Sequence, residues 1–402
     1  MKFNDFGLDA DLLSACGRLG FDNPTPIQTQ AIPAILKGKD VLACAETGTG
    51  KTAAFLLPVL NGLFNDRNSN GTKILILSPT RELAIQTETA CRAFAGKRVK
   101  CVAIIGGTGY SHQKAALSRG TEIVIATPGR LIDLMGQNYV DFASLLTLVL
   151  DEADRMLDMG FLPAIRKITA QLPNKRQTLL FSATMARQVE RIAEEITSSP
   201  IRINVSRPGT VAAGVEQTAY PVAQEFKLTL LLELLEKENY QRVLIFTRTK
   251  RGADRIAHIL ERRAHRSKCI HSDRSQSQRS AALESFRNGS TRVLVATDVA
   301  ARGIDIDSVS HVINYDVPAA AEDYVHRIGR TGRAGNTGRA ITLMTAAEEH
   351  SMKAIERLTG KRVQRVILPN FGGLQSSAEP VSVRAATQVK QTFRSFGGRR
   401  RR

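Results

Sequence analysis

Short runs of aliphatic and β-branched residues recur along the chain between longer amphipathic stretches. A first set comprises Val41-Leu42-Ala43-Cys44, Lys73-Ile74-Leu75-Ile76-Leu77, Glu122-Ile123-Val124-Ile125, Leu148-Val149-Leu150 and Thr178-Leu179-Leu180-Phe181. A second comprises Val243-Leu244-Ile245-Phe246, Arg292-Val293-Leu294-Val295, His311-Val312-Ile313 and Ala340-Ile341-Thr342-Leu343. Continuous apolar runs of this length suit strands buried on both faces, hence parallel sheets flanked by helices. Between the sets, residues 206–214 are rich in Pro, Gly and small side chains and read as a linker. The pattern predicts an α/β chain of two tandem parallel-sheet domains. Their expected bounds are 1–206 and 215–370, with a linker over 207–214 and a tail over 371–402. The tail loses periodicity and ends Gly397-Gly398-Arg399-Arg400-Arg401-Arg402, so it is expected to be disordered and basic.

Several runs end in polar residues. The first set exits into Ser78-Pro79-Thr80-Arg81-Glu82, Ala126-Thr127-Pro128-Gly129-Arg130, Asp151-Glu152 and Ser182-Ala183-Thr184. The second exits into Thr247-Arg248-Thr249 and Ala296-Thr297-Asp298. Ligands of open parallel sheets bind outside the carboxyl ends of the strands. Recurring Thr and Arg at that edge in both halves imply two active edges that face each other.

Charge narrows the choice of ligand. The formal net charge is +18 and the sequence pI about 10.0, a balance that favours a polyanion, nucleic acid before an anionic membrane. No stretch approaches the roughly 20 apolar residues of a membrane span, and the N-terminus has no apolar signal core. Cys16, Cys44, Cys91, Cys101 and Cys269 are scattered without CxxC spacing. That argues against a structural metal or a disulfide framework and for a reducing, cytoplasmic compartment.

The segment Ala45-Glu46-Thr47-Gly48-Thr49-Gly50-Lys51-Thr52 follows a strand-like run and precedes a helical one. Glycines there let backbone N–H groups approach phosphates, and the helix N-terminus adds a favourable dipole. Lys51 would reach the β- and γ-phosphates of ATP, and Thr52 would hold Mg²⁺. The general P-loop pattern has Gly where Ala45 stands, so the cradle rests on Gly48 and Gly50. Asp151 would position Mg²⁺ and Glu152 would polarise the attacking water. Gln28 can hydrogen-bond adenine N6 and N7 together. Phe3 or Phe21 would stack on the base, although core packing is the commoner fate of a phenylalanine. Arg327, Arg330 and Arg333 lie in His326-Arg327-Ile328-Gly329-Arg330-Thr331-Gly332-Arg333; Arg330 and Arg333 are the expected γ-phosphate fingers.

Taken in order, PTPIQ, AETGTGKT, PTRELA, TPGR, DEAD, SAT, ATDVAARGID and HRIGRTGR resemble the DEAD-box ATP-dependent RNA helicases, from Phe3 to about Gly338. The compact layout with a short basic tail looks most like the bacterial RhlE-type members. The resemblance implies two RecA-like domains, ATP hydrolysis with Mg²⁺, and RNA bound with little sequence specificity. It implies that Asp154, Ser182 and Thr184 couple ATP state to closure, and that Gly303 and Asp305 meet the nucleotide from the second domain. For RNA it implies Pro79, Thr80, Arg81, Gly106, Gly107, Thr127 and Arg130 in the first domain, with Arg248, Gln276, Arg279 and Thr297 in the second. Ser272 departs from the family's His-Gly-Asp. Local unwinding of short duplexes is the leading expectation; an ATP-controlled RNA clamp and a DNA helicase are the alternatives. Ribosomal or RNA-decay proteins are the expected partners.

Overall fold

The computed structural model describes residues 1–46, 48–66, 71–205, 214–237, 240–301, 309–332 and 337–371. The expected linker, apart from Gly214, and the tail beyond Phe371 lie outside the described residues.

The first domain is built on β1 (Val41–Cys44), β2 (Ile74–Leu77), β3 (Cys101–Ile104), β4 (Ile123–Ala126), β5 (Thr147–Leu150), β6 (Gln177–Ser182) and β7 (Ile201–Asn204). They form one sheet in the order β3-β4-β2-β5-β6-β1-β7, each neighbouring pair parallel. The second domain repeats the plan with β8 (Val215–Pro221), β9 (Val243–Thr247), β10 (Ser267–Ile270), β11 (Val293–Thr297), β12 (His311–Asn314), β13 (Gly338–Met344) and β14 (Gln364–Arg365). Its order is β10-β11-β9-β12-β13-β8-β14, again parallel throughout.

Alternate strand residues enter separate cores, as the pleat requires. Val41, Ala43, Ile74, Ile76, Ile123 and Ile125 face one cluster; Leu42, Leu75, Leu77, Val124 and Ala126 face the other. In the second sheet Val243, Ile245, Val293 and Val295 are separated from Leu244, Phe246, Leu294 and Ala296 in the same way. Burial on both faces is why these strands read as unbroken apolar runs. Truncating one such residue, Leu75→Ala for instance, is expected to cost about 2–5 kcal/mol.

The strands that the pattern did not predict are mostly edges. β3, β7, β10 and β14 end their sheets, and β7 carries Ile203 inward while Ile201, Arg202 and Asn204 are exposed. An edge strand has less surface to bury, so its hydrophobic signal is diluted. β8 was missed for its polar sequence, Val215-Glu216-Gln217-Thr218, although it lies between β13 and β14. The expected tail begins one residue too early. Phe371 is buried, lies edge-on to Phe226 at 6.4 Å, and its carbonyl accepts from Ala223 N–H.

Candidate ATP and RNA site

The phosphate-loop residues from Gly48 to Gly50 lead from β1 into the helix Lys51–Asn65. Gly50 has φ +89°, and a Cβ at this position would overlap the Gln28 amide, so only glycine closes the loop here. Gln28 is buried in the helix Pro26–Leu36; its Oε1 accepts from Thr25 N–H at 2.9 Å and its Nε2 donates to Gly50 O at 3.1 Å. The proposed adenine reader is therefore fastened to the phosphate loop. Each end of its amide keeps one further hydrogen-bonding capacity. Phe3 is buried and Phe21 half-buried, their rings edge to face at 6.3 Å, and Phe21 leans on Phe94 at 5.5 Å. Lys51 is buried and donates to Ala45 O at 2.7 Å, while Thr49 Oγ1 closes the loop onto Glu46 O at 2.7 Å. Thr52 is half-buried in the first turn of the helix. Thr47 lies outside the described residues.

Asp151 and Glu152 leave the end of β5, both buried. Asp151 Oδ2 and Glu152 Oε2 have no hydrogen-bond partner among the described residues. Burial, then the neighbouring Glu152 charge, pushes the Asp151 carboxyl up to about 7, against the pull of Lys51. Two buried carboxylates beside a lysine-bearing loop, each with an unmet oxygen, fit a divalent cation. Glu152 has φ +51° and ψ +55°, a left-handed backbone that a side chain of its size rarely adopts. Such strain costs about 1–3 kcal/mol and persists where the surroundings impose it.

Asp154 is the best-connected of the three acids in Asp151-Glu152-Ala153-Asp154. Its Oδ2 accepts from Ala183 N–H at 3.1 Å, Thr184 N–H at 2.9 Å and Thr184 Oγ1 at 3.1 Å. Ser182 Oγ in turn donates to Thr184 O at 2.7 Å. The expected tie from the DEAD tetrapeptide to Ser182-Ala183-Thr184 is thus present as three hydrogen bonds.

Across the domain boundary, buried Arg330 lines a narrow cleft with Arg155, Phe246 and Asp298. Arg327 is committed elsewhere: it grips both Asp298 oxygens at 2.6 and 2.7 Å and donates to Asp316 O at 2.7 Å. Arg333, Gly303 and Asp305 lie outside the described residues.

The expected RNA residues of the first domain gather at the carboxyl ends of β2, β3 and β4. Buried Pro79 precedes Thr80, whose Oγ1 caps the helix Arg81–Ala95 by accepting from Leu83 N–H at 3.3 Å. The Arg81 guanidinium lies against Gly106 and Gly107; Gly107 has φ +78°, and a Cβ there would overlap the guanidinium. Thr127 begins the helix Pro128–Gly136, and Arg130 Nη2 donates to Thr108 O at 3.2 Å. In the second domain Thr297 ends β11, and Arg248 projects, ion-paired to Glu348 at 2.8 Å. Glu348 also holds the fully buried Lys227 at 2.8 Å.

Gln276 and Arg279 depart from expectation. Both are buried and turn toward the first domain, where Gln276 Nε2 donates to Glu82 Oε1 at 3.2 Å and Arg279 pairs with Glu82 Oε2 at 2.9 Å. Here their side chains join the two domains. Glu82, although inside PTRELA, was not singled out from the sequence, and neither was Arg155. Arg155 is 2% exposed, and its Nε, Nη1 and Nη2 make no hydrogen bond to a described residue; Nε lies 3.4 Å from Glu152 Oε2. Nothing in a sequence marks an arginine as buried. The only signal was its place directly after the tetrapeptide.

One further group of possible metal ligands occurs among the described residues: Asp254, Cys269 and His271. The Arg274 guanidinium already sits in it, donating to Asp254 and to Cys269 Sγ.

A family model described as DEAD/DEAH box helicase matches residues 25–192, and one described as helicase conserved C-terminal domain matches residues 226–335. The chain is 41% identical over 398 residues to the DEAD-box ATP-dependent RNA helicase CshA of Bacillus subtilis, covering 98% of this chain and 80% of that protein. It is 44% identical over 349 residues to the ATP-dependent RNA helicase vasa of Drosophila melanogaster, covering 85% of this chain and 53% of vasa. Among solved structures it resembles S. cerevisiae Dbp5 bound to RNA and ADP BeF3, with TM-score 0.84 and 30% identity over 91% of this chain and 95% of that one. It also resembles the DEAD-box helicase Mss116 bound to ssRNA and UDP-BeF, with TM-score 0.85 and 29% identity over 92% and 80% of the two chains.

Proposed function

The chain belongs to the DEAD-box ATP-dependent RNA helicases, with their tandem RecA-like domains, and from that premise we propose that its ATP site is completed only when the two domains close on RNA. The observation that carries this reading is the distribution of the parts. The phosphate loop, Asp151 and Glu152 belong to one domain, while Arg330 approaches from the other.

The roles follow from position and charge. Gln28 reads adenine, with Phe3 or Phe21 against the base. Gly48, Gly50 and Lys51 cradle the phosphates at the start of the helix Lys51–Asn65, where unsatisfied N–H groups and the dipole favour anions. Thr52 and Asp151 would hold Mg²⁺, which supplies charge neutralisation on the phosphates when bound. Glu152 takes the proton of the attacking water. Arg330 and Arg333 stabilise charge on the transferring phosphoryl group. Gly303 and Asp305 complete the nucleotide contacts from the second domain.

RNA lies along the edge formed by Thr80, Arg81, Gly106, Gly107, Thr127 and Arg130, continuing to Arg248 and Thr297. These are backbone-phosphate and ribose readers, so little sequence preference is expected. ATP and RNA each favour closure, so each raises affinity for the other. Asp154 carries that coupling through Thr184. Local separation of short duplexes is the outcome. The free state of Cys16, Cys44, Cys91, Cys101 and Cys269 fits a reducing cytoplasm. No helix among the described residues is long and apolar enough to cross a membrane. Ribosomal or RNA-decay proteins are the partners to seek.

The test is strand displacement on a short RNA duplex beside an ATPase assay with RNA and with DNA. RNA-stimulated turnover accompanied by displacement is expected. Turnover without displacement would replace unwinding by clamping, and equal stimulation by DNA would overturn the substrate.

A further inference from the structure

Outside the edge just described, the first domain carries a strip in which cations and aromatic rings alternate. Arg130 stacks its guanidinium over the Tyr110 ring, 3.9 Å from the centroid. The Lys114 ammonium lies 5.5 Å from the Tyr110 ring and 4.1 Å from the Tyr139 ring. The order by contact is therefore Arg130, Tyr110, Lys114, Tyr139. Both tyrosines are well exposed, 39% and 40%. Neither position belongs to the ATP site or to the family motifs quoted above.

Local structure explains how the strip is held. Tyr110 opens the helix Tyr110–Ser118, so Lys114 falls one turn later on the same face. Tyr110 Oη donates to Asp133 Oδ2 at 3.1 Å, fixing the ring beside the neighbouring helix. That helix, Pro128–Gly136, is followed by a turn in which Asn138 takes φ +58°, and the turn presents Tyr139 to solvent. The strip thus begins at Arg130, which also donates to Thr108 O at 3.2 Å beside the Gly106-Gly107 pair.

We propose that Tyr110, Lys114 and Tyr139 form an accessory site for unpaired RNA, on which bases that leave the Gly106–Arg130 edge stack. The proposal rests on the reading of that edge as the RNA path and extends it. Aromatic faces give sequence-tolerant stacking, and interleaved cations follow the phosphates. A surface for an apolar protein segment would not need a cation against each ring. The formal charge of +18 favours the polyanion. Continuity with Arg130 gives the strand a route onto the rings.

The experiment measures affinity for oligouridines of roughly 6 and roughly 15 nucleotides, lengths within the range of single-strand sites, with a non-hydrolysable ATP analogue present. The proteins are the full chain, Tyr139→Ala and Tyr139→Phe. Tyr139 is chosen because it does not touch Arg130 and stands exposed after a helix. Tyr139→Ala is expected to weaken the longer RNA about 10-fold, the effect of losing a stacked base. The shorter RNA should bind unchanged, and Tyr139→Phe should restore the longer one. Unchanged affinity for the longer RNA, as a protein-docking surface would give, overturns the accessory site; so does an equal loss at both lengths. If the unaltered chain, assayed in parallel with ATP in place of the analogue, shows no RNA-stimulated ATPase at either length, the parent reading fails and this site with it. Normal stimulation by the short RNA without any effect of Tyr139→Ala removes the accessory site alone.

Discussion

The Glu82 carboxylate and the Arg279 guanidinium meet at 2.9 Å across the two domains, with side-chain exposures of 4% and 9%. Gln276 adds a hydrogen bond to the other Glu82 oxygen. Removing one partner of a buried ion pair leaves the other uncompensated, at about 3–5 kcal/mol. The loss falls on any arrangement in which the two domains make this contact, and under the proposed function that includes the closed one. Glu82→Gln and Arg279→Ala are each expected to raise the RNA concentration needed for half-maximal ATPase by tenfold or more, on that scale. Nucleotide binding without RNA should be spared. In a double-mutant cycle the two losses should not add. Additive losses would mean that the residues act separately, each on RNA.

Glu152 joins a chemical role to a strained backbone. Glu152→Gln keeps the shape of the side chain and removes the base, so turnover should fall by at least 10²-fold, the usual scale for general-base catalysis. ATP should still bind. Lys51→Ala should abolish turnover by weakening nucleotide binding itself, measurable by titration with a fluorescent ATP analogue. Normal turnover in Glu152→Gln would remove its assigned role. Glu152→Gly relieves the left-handed strain and should raise the thermal midpoint while remaining inactive.

Asp154 makes four hydrogen bonds, three to Ala183 and Thr184 and one to Arg155 N–H at 3.0 Å. Its Oδ2 carries the three bonds from residues 183–184. Asp154→Asn replaces one acceptor oxygen with a donor, and no orientation of the amide satisfies all four. If the contact carries the proposed coupling, at the usual scale of about 1–3 kcal/mol, ATP affinity should change little whereas stimulation of hydrolysis by RNA should fall tenfold or more. If basal and RNA-stimulated rates fall by the same factor, Asp154 serves the chemistry rather than the coupling.

Acid should unfold the second domain through Glu348. Burial alone would raise its carboxyl, but the hydrogen bond and charge of Lys227, with the Thr345 backbone, outweigh burial and hold it below its ordinary 4.5. A depressed carboxylate contributes stability that is present above 4.5 and is lost as pH falls through the folded-state value. Urea unfolding of the full chain, followed from neutral pH downward, should show this acid limb. Glu348→Gln should flatten it and destabilise at neutral pH by less than about 3–5 kcal/mol, the cost of a fully uncompensated buried charge, because Lys227 loses its nearer carboxylate and keeps Asp316 at 3.7 Å. An identical acid slope in the variant would exclude the pair as its source.

Much of the site was legible because phosphate chemistry ties function to local sequence. Gly50, Lys51, Asp151 and Asp154 occupy turns at strand ends, and the turn, the spacing and the residue type all announce themselves together. Gln276 and Arg279 were expected as RNA contacts, and their contact with Glu82 was not foreseen. A sequence shows that a residue is polar and near a ligand edge; it does not show that another domain's carboxylate will reach it first. Edge strands such as β7 and the exposed pair Tyr110 and Tyr139 were illegible for a related reason. Their meaning depends on what they face, and residues far apart in the chain decide that.

Arg155 ties stability to function. Its guanidinium is buried without a hydrogen bond to a described residue, beside Glu152 and facing the cleft that Arg330 lines. Removing it leaves the buried Glu152 carboxylate without its neighbouring cation, and breaking a buried ion pair from one side costs about 3–5 kcal/mol. Arg155→Met should therefore lower the urea midpoint of the chain. Its RNA-stimulated kcat should fall as well, because Glu152 loses the cation that orients its carboxylate. Arg155→Lys should recover part of both, since the ammonium keeps the charge without the planar fork. An unchanged midpoint with full activity in Arg155→Met would show that Arg155 is only tolerated at the domain boundary.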